Sequence, residues 1–237
     1  MKRFVLDPPP EFAGLDRHGK PLRSYHRNLP HWRQDGATYF VSFRLRDAIP
    51  PTIRAELRRL RANPDHRESP CDSDDGKWRR WLLRYEASLD ESHGACLLSN
   101  DKHRETMRNA LRFFDVRDES CPGSESRHEP RYELGAFVIM PNHVHVIVRP
   151  IRPDRYPLEH ILKSWKGFST REINRVRNGG GSLWCEESFD RIVRDAEHLY
   201  RCVQYIGRNP VRAGLGEDVC LRWIRPSWKS LGWDFES

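Results

Sequence analysis

The sequence lacks any long apolar run. Its apolar stretches, such as "AFVIM" at residues 136–140, are far too short to cross a bilayer. The opening, "MKRFVLDPPPEF", contains basic residues but no apolar core segment, so it is not typical of a signal peptide. We therefore expect a soluble, cytoplasmic protein without a membrane partner.

The sequence also lacks two common functional motifs. Its six cysteines are widely scattered and none forms a C-x-x-C pair, so a zinc ribbon is not predicted. Free thiols in a reducing compartment are the simpler interpretation. No G-x-x-x-x-G-K-[ST] sequence is present, so nothing indicates a P-loop for ATP.

Positive charge is in excess, and it lies toward the two ends of the chain. The 237 residues include 41 Lys and Arg against 34 Asp and Glu, a net charge of +7. Residues 1–60 carry 12 basic and 6 acidic side chains, residues 61–150 carry 14 and 16, and residues 151–237 carry 15 and 12. Such an excess indicates a nucleic acid partner, because Lys and Arg neutralise phosphates. A basic solvated surface without a ligand explains it nearly as well.

The residue pattern predicts a mixed α+β domain. Residues 1–37 lack periodicity and are expected to be irregular, and residues 63–76 and 117–130 are expected to be loops. Strands are predicted at 38–46, 131–140 and 143–150, with a short extended piece at 182–189. Helices are predicted from Pro51, at 77–91, at 99–115, at 156–178 and from about Asp190 to Asn209, ending at Pro210. This order fits one antiparallel sheet with helices on one face, the split β-α-β topology of ferredoxin-like folds.

Two histidines interrupt the apolar stretch "MPNHVHVIV". Side chains alternate across a strand, so His143 and His145 point the same way while Val144 points the other way. Two neighbouring imidazoles on one face of a sheet can hold a single cation. From the spacing alone, two ordinary histidines on a solvated face are the simpler interpretation, so a metal site requires that a further group converge on them.

The last predicted helix offers such a group. Its apolar positions cluster around one direction, and Tyr205 falls about 140° away from it at 100° per residue. Asn209 follows one turn later on the same side, within a polar half that also contains Arg194, His198, Arg201 and Arg208. We therefore predict a tyrosine that faces outward among cations and can meet a phosphate. An amphipathic surface or interface tyrosine is the alternative.

Taken together, these segments resemble a known family. "PNHVHVIV", "LKSWKGFSTREIN", "LWCEESFDRIVRD" and "YIGRNPVRAGL" resemble the single-tyrosine HUH transposases, and most closely the REP-associated tyrosine transposases. The likeness covers about residues 25–230 and matches poorly around 61–130. It implies an irregular N-terminal arm at 1–24 and a catalytic domain at 25–215 with an elaboration at about 61–130. Residues 216–237 would then be a C-terminal tail.

The resemblance also implies a chemistry and a set of site residues. His143, His145 and the amide of Asn209 would hold Mg²⁺ or Mn²⁺, and Tyr205 would attack DNA to form a 5′-phosphotyrosine. Single-stranded or hairpin DNA from palindromic repeats would be held by basic side chains, namely Lys163, Lys166, Arg191, Arg194, Arg201 and Arg208. The family implies a monomer or a homodimer, in which the tyrosine helix can serve the partner's site.

Three other functions remain open at this stage. A related HUH replication or relaxation protein is usually attached to a helicase, and no helicase motif is present. A domesticated, non-catalytic protein could keep only hairpin binding. A zinc-dependent hydrolase is the weakest alternative, because no third His or Glu follows the pair at hydrolase spacing. Trp165 is expected in the core, whereas four other tryptophans are candidates for base stacking, namely Trp184, Trp223, Trp228 and Trp233.

Overall fold

A computed structural model describes residues 6–27, 29–61, 76–116, 128–216 and 218–236. The predicted loops at 63–76 and 117–130 lie almost wholly outside the described residues. The strands of the described part are β1 (Arg23–His26), β2 (Pro30–Arg33), β3 (Tyr39–Arg44), β4 (Tyr132–Ile139), β5 (His143–Pro150), β6 (Phe189–Ile192) and β7 (Leu221–Ile224). The helices are α1 (Pro51–Arg61), α2 (Gly76–Asp90), α3 (Asp101–Arg112), α4 (Leu158–Val176), α5 (Ala196–Arg212) and α6 (Pro226–Ser230).

One five-stranded sheet organises the molecule. Its strand order is β6-β3-β5-β4-β7, and every neighbouring pair is antiparallel. Without β7, the order of this sheet is that of a ferredoxin-like fold, with α1 to α3 following β3 in the chain and α4 following β5. The predicted α+β class with an antiparallel sheet is therefore confirmed. Strands β1 and β2 form a separate two-stranded ribbon inside the segment that was expected to be irregular.

Both faces of the sheet are covered. Val144, Val146 and Val148 of β5 share one apolar cluster with Trp165 of α4 and with residues of α3. Ile147 of β5 belongs to a second cluster with Val203 and other residues of α5. Since alternate residues of a strand face opposite ways, α4 and α5 lie on opposite faces. The expectation of helices on one face is wrong for α5, because the second face of β4 and β5 is also buried and apolar.

Helix α5 begins and ends later than the sequence predicts. Residues Phe189–Ile192 form β6, which extends the sheet by pairing with β3, and Asp195 then caps the helix by accepting from the His198 amide at 2.7 Å. The helix also continues past Pro210 to Arg212. A proline inside a helix removes one hydrogen bond. Side-chain contacts of Arg212 with α2, described below, help to hold the added turn.

The segment 216–237 was predicted as a tail, and its described residues 218–236 complete the sheet and the second cluster. Strand β7 pairs with β4, and Trp228 and Trp233 are buried. The Trp233 indole N–H donates to the Asp7 carbonyl at 2.8 Å. Gly135 lacks the Cβ that would come within 2.1 Å of the Trp228 ring, so this close approach requires glycine. Local periodicity does not predict β7, because an edge strand of four residues carries little of it.

The tryptophans are mostly core residues. Trp165 is buried as predicted, and so are Trp184, Trp228 and Trp233, which excludes these three as exposed platforms for bases. Trp223 is half-buried and stacks on Phe137, with ring centroids 5.2 Å apart.

Among the described residues, no helix is both long enough and apolar enough to span a membrane. Four cysteines of the described part, Cys96, Cys185, Cys202 and Cys220, carry free thiols, as expected.

Candidate metal and nucleophile site

The two histidines lie side by side on the α5 face of β5. In the ladder with β3, His145 is opposite Ser42 and His143 is opposite Arg44. Their ring centroids are 4.7 Å apart, and both side chains are almost fully buried. The prediction that they share one face is confirmed, and the alternative of a solvated face is wrong.

Each imidazole is oriented through its Nδ1 atom. His143 Nδ1–H donates to Asn142 Oδ1 at 2.7 Å, and the Asn142 amide nitrogen in turn donates to the His93 carbonyl at 3.1 Å. His145 Nδ1 lies 2.5 Å from the Ser42 hydroxyl oxygen. Such contacts fix the tautomer and the ring orientation in sites where Nε2 is a ligand.

The two Nε2 atoms are buried and have no hydrogen-bond partner within the described part of the chain. Burial, which disfavours a charged imidazole, lowers the pKa of His143 to about 3 and holds the pKa of His145 well below its ordinary value. Nearby arginines add to this effect. Both rings are therefore neutral at physiological pH, the form in which imidazole can bind a metal.

Asn209 of α5 completes this group. Its side chain is fully buried and interacts with His143, which raises the pKa of that imidazole against the larger effect of burial, yet neither its amide oxygen nor its amide nitrogen has a partner of good hydrogen-bond geometry among the described residues. Buried polar atoms are nearly always paired, because an unpaired amide costs free energy. Four unpaired polar atoms at one place are typical of a site that binds a ligand.

The donor set fits a divalent cation. Two neutral imidazole nitrogens and one amide oxygen leave coordination positions open for phosphate oxygens and water. Within the described ranges there is no cluster of three or more His, Cys, Asp or Glu that could hold a metal. A metal bound here would therefore depend on His143, His145 and Asn209.

Tyr205 lies directly beside the histidine pair. Its ring contacts His145 edge to face, with centroids 5.1 Å apart, and contacts Phe40 in the same way at 5.6 Å. The tyrosine is half-buried and packs against the second cluster, so the prediction of an outward-facing residue is wrong. The helical count was correct, but α2 covers the side of α5 that was expected to be solvated.

The environment of Tyr205 keeps its hydroxyl protonated. Burial raises the pKa of Tyr205, and the carboxylates of Glu86 and Asp90 on α2 raise it further. Arg212 acts in the opposite direction, with its Cζ 4.9 Å from the centre of the ring. Glu86 makes a hydrogen-bonding contact with Tyr205, and burial raises the pKa of this carboxyl. The phenol therefore has a proton acceptor and a cation next to it.

Of the predicted DNA-binding cations, Arg191 is the one that lies nearest to this site. It sits over the Phe40 ring at 5.0 Å and lowers the pKa of His145. Arg194 is exposed just before α5. Arg201 and Arg208 are exposed on α5, where they pair with Glu197 and Glu236.

The structure does not bring Lys163 and Lys166 to the histidines, because α4 lies across the sheet. Both line an open cleft of about 980 Å³ on that side, together with the basic residues Arg27, Arg44, Arg46 and Arg54. Lys166 donates to the carbonyls of Cys185 and Glu186 and to the Ser188 hydroxyl, and burial lowers its pKa to about 8. Four carboxylates also line this cleft, the α4 cleft, namely Glu159, Glu186, Glu187 and Asp190, so its charge is mixed with cations in excess.

Sequence reasoning missed four residues of the site. Ser42 and Asn142 orient the imidazoles, and Glu86 and Arg212 flank the phenol. Only Arg212 had a local signal, since residues 205, 209 and 212 follow the i, i+4, i+7 spacing of one helical face. The others depend on strand register and on the position of α2, which local periodicity does not report.

Comparisons with known proteins are sparse. No family model matches the chain, and no curated protein matches it. A solved structure of a REP-associated tyrosine transposase bound to a REP hairpin is similar, with a TM-score of 0.42 and 16% sequence identity. The match covers 82% of this chain and 77% of that one.

Proposed function

We propose that the protein is a metal-dependent transposase that nicks and rejoins single-stranded DNA next to hairpins, with Tyr205 as the nucleophile. One observation carries the proposal. A tyrosine, two neutral imidazoles with unpartnered Nε2 atoms and an unpartnered buried amide meet at one place on the sheet. Packing of the apolar core does not require that combination of polar groups.

The chemistry follows from the groups at the site. The Tyr205 oxygen attacks a DNA phosphorus, the bond from phosphorus to the 3′ oxygen breaks, and the phenol proton passes to Glu86. The leaving 3′ oxygen takes a proton from water, which gives a 5′-phosphotyrosine and a free 3′ hydroxyl, and a second transesterification rejoins the strand. His143, His145 and Asn209 would hold Mg²⁺ or Mn²⁺, which when bound neutralises phosphate charge and stabilises the leaving oxygen.

The surroundings suit an extended anionic strand. Arg191, Arg194 and Arg201 surround the start of α5, and the α4 cleft offers further cations on the other face of the sheet. Two separate basic surfaces fit a substrate with two parts, such as a hairpin and its unpaired flank. The DNA strand must be unpaired, because a phosphate of a duplex could reach a half-buried tyrosine only after the duplex had melted.

The test is covalent trapping. The protein is incubated with a labelled hairpin that carries a single-stranded flank, in Mg²⁺ or Mn²⁺, and separated under SDS. We expect a denaturation-resistant adduct, and peptide mapping by mass spectrometry should place the DNA on the segment around Tyr205. The change Tyr205→Phe removes a single oxygen and should abolish the adduct.

Two other tyrosines serve as matched controls. Tyr200 lies on the same helix and hydrogen-bonds to Glu236, and the Tyr156 hydroxyl is 3.2 Å from Glu129. The variants Tyr200→Phe and Tyr156→Phe should still form the adduct. An active Tyr205→Phe enzyme, or DNA on another residue, would refute the assignment. Tight hairpin binding without any adduct in either metal would instead support a non-catalytic binding protein.

A further inference from the structure

Arg212 stands out among the cations of α5 because it touches Tyr205. It follows Tyr205 by two helical turns, and its guanidinium carbon lies 4.9 Å from the ring centre. Arg201 and Arg208 are on the same helix, but they pair with Glu197 and Glu236 and face solvent. A cation in the last turn of a helix is favoured by the helix dipole alone. The dipole does not explain the contact with the phenol.

A second contact fixes the position of Arg212. Its Nη2 donates to Asp90 Oδ2 of α2 at 2.7 Å, and the Asp90 side chain is only 16% exposed. Because the partner belongs to another helix, this pair holds the guanidinium at one place relative to the sheet. The Arg212 side chain remains 39% exposed. A guanidinium has five N–H donors, so several of them stay available on its open side.

The charges around the phenol indicate what the fixed guanidinium of Arg212 does. Glu86 and Asp90 both approach Tyr205, and two carboxylates would repel an incoming phosphate. Arg212 favours ionisation of both carboxyls and of the phenol. An arginine at this place therefore offsets the acidic surroundings, and it does so where phosphate must arrive for Tyr205 to attack.

We propose that Arg212 is a further catalytic residue, one that binds the non-bridging oxygens of the phosphate attacked by Tyr205, and that Asp90 is its positioning residue. This inference rests on the proposed function. In the step itself the Tyr205 oxygen gains a bond to phosphorus and the 3′ oxygen loses one, while Arg212 keeps its protons. Its fixed donors stabilise the charge that builds up on the phosphate oxygens in the transition state.

The experiment separates rate from affinity. Single-turnover cleavage is measured at saturating hairpin substrate, and the hairpin Kd is measured separately at matched salt. We expect Arg212→Gln to slow cleavage by about 100-fold or more, the range for removal of one transition-state donor, with a Kd within a few-fold of the wild type. Arg108→Gln is the matched control, since Arg108 of α3 is also 39% exposed and paired with a carboxylate, that of Glu105, and this variant should cleave at nearly the normal rate.

Two further variants guard against a folding artefact. Free guanidinium at millimolar concentration should partly restore cleavage by Arg212→Ala, whereas an equal concentration of sodium chloride should not. Asp90→Asn should slow cleavage less than Arg212→Gln, because it loosens the guanidinium without removing it. A role limited to folding predicts no rescue by guanidinium.

The outcomes separate the two proposals. If the wild type forms no adduct, the proposed function fails and the role of Arg212 fails with it. If the wild type cleaves but Arg212→Gln behaves like Arg108→Gln, only the role of Arg212 is overturned. A fall in affinity alone, at an unchanged single-turnover rate, would also overturn it.

Discussion

Asn209 should support the reaction but lower the stability of the fold. Its amide is fully buried, and apart from the interaction with His143 neither polar atom has a partner of good hydrogen-bond geometry within the described structure. An unpaired buried amide costs roughly 1–3 kcal/mol. Asn209→Leu removes that cost and adds apolar contacts, although packing a larger side chain costs on the order of 1 kcal/mol. We therefore expect the variant to be more stable than the wild type in EDTA, by about 1–2 kcal/mol.

Asn142 is the matched control for this prediction. It is equally buried, but its amide pairs at both ends, with His143 and with the His93 carbonyl. The change Asn142→Leu breaks two hydrogen bonds and leaves their partners unsatisfied, so it should destabilise the protein by about 2–4 kcal/mol. The same substitution at two buried asparagines should thus act in opposite directions.

The assay is urea denaturation and thermal unfolding in EDTA, repeated with Mn²⁺. For a domain of this size each kcal/mol shifts Tm by about 2–4 °C. Mn²⁺ should raise the Tm of the wild type and raise that of Asn209→Leu less, because one ligand is gone. A clear loss of stability for Asn209→Leu in EDTA would refute the reasoning, since it would mean that this amide is satisfied in the metal-free protein.

The remaining predictions concern the histidines. Replacing His143 and His145 together by Ala should abolish cleavage but leave hairpin binding largely intact and steeply salt-dependent, because cations supply most of the affinity; full cleavage by this variant in EDTA would remove the metal model. Stability should peak near pH 6.5. Burial lowers the pKa of His143 and His198 to about 3. Below pH 6.5 these histidines therefore bind protons in the unfolded chain but not in the fold, which lowers the free energy of unfolding. The loss reaches about 2 kcal/mol for each histidine at about pH 5. Burial opposes protonation of His31 too, but hydrogen bonds to Asp190 and Glu187 raise its pKa to about 9. Its contribution to the free energy of unfolding is therefore full below pH 6.5 and is lost as the pH rises through 9. Urea unfolding across this range checks the peak, and a steady rise or fall would contradict it.

Local patterns predicted the parts of the molecule that depend on a single element. The alternation around His143 and His145 identified their shared face, and helical spacing placed Asn209 and Tyr205 on one side of α5. Both results follow from the fixed geometry of strands and helices. The core position of Trp165 followed in the same way from its place on the apolar face of its helix.

Features that depend on contacts between distant segments could not be predicted. Nothing in the sequence near Tyr205 shows that α2 covers it, since Glu86 and Asp90 arrive from more than a hundred residues away. For the same reason the sequence does not show that Lys163, which was expected to hold DNA, lies across the sheet from the histidines, where α4 packs. Periodicity reports which side of an element is apolar, but it does not report which neighbour covers the other side.

Strand β5 builds the apolar core with one set of side chains and the candidate site with the alternate set. Val144 and Val146 face α4, whereas His143 and His145 face α5. A strand alternates with a period of two residues, so one inserted or deleted residue would turn every later side chain to the opposite face. The imidazoles would then be buried in the apolar core against α4, and the valines would line the candidate site. In this strand single-residue insertions and deletions should thus be eliminated in evolution, whereas conservative apolar exchanges at Val144 or Val146 can persist.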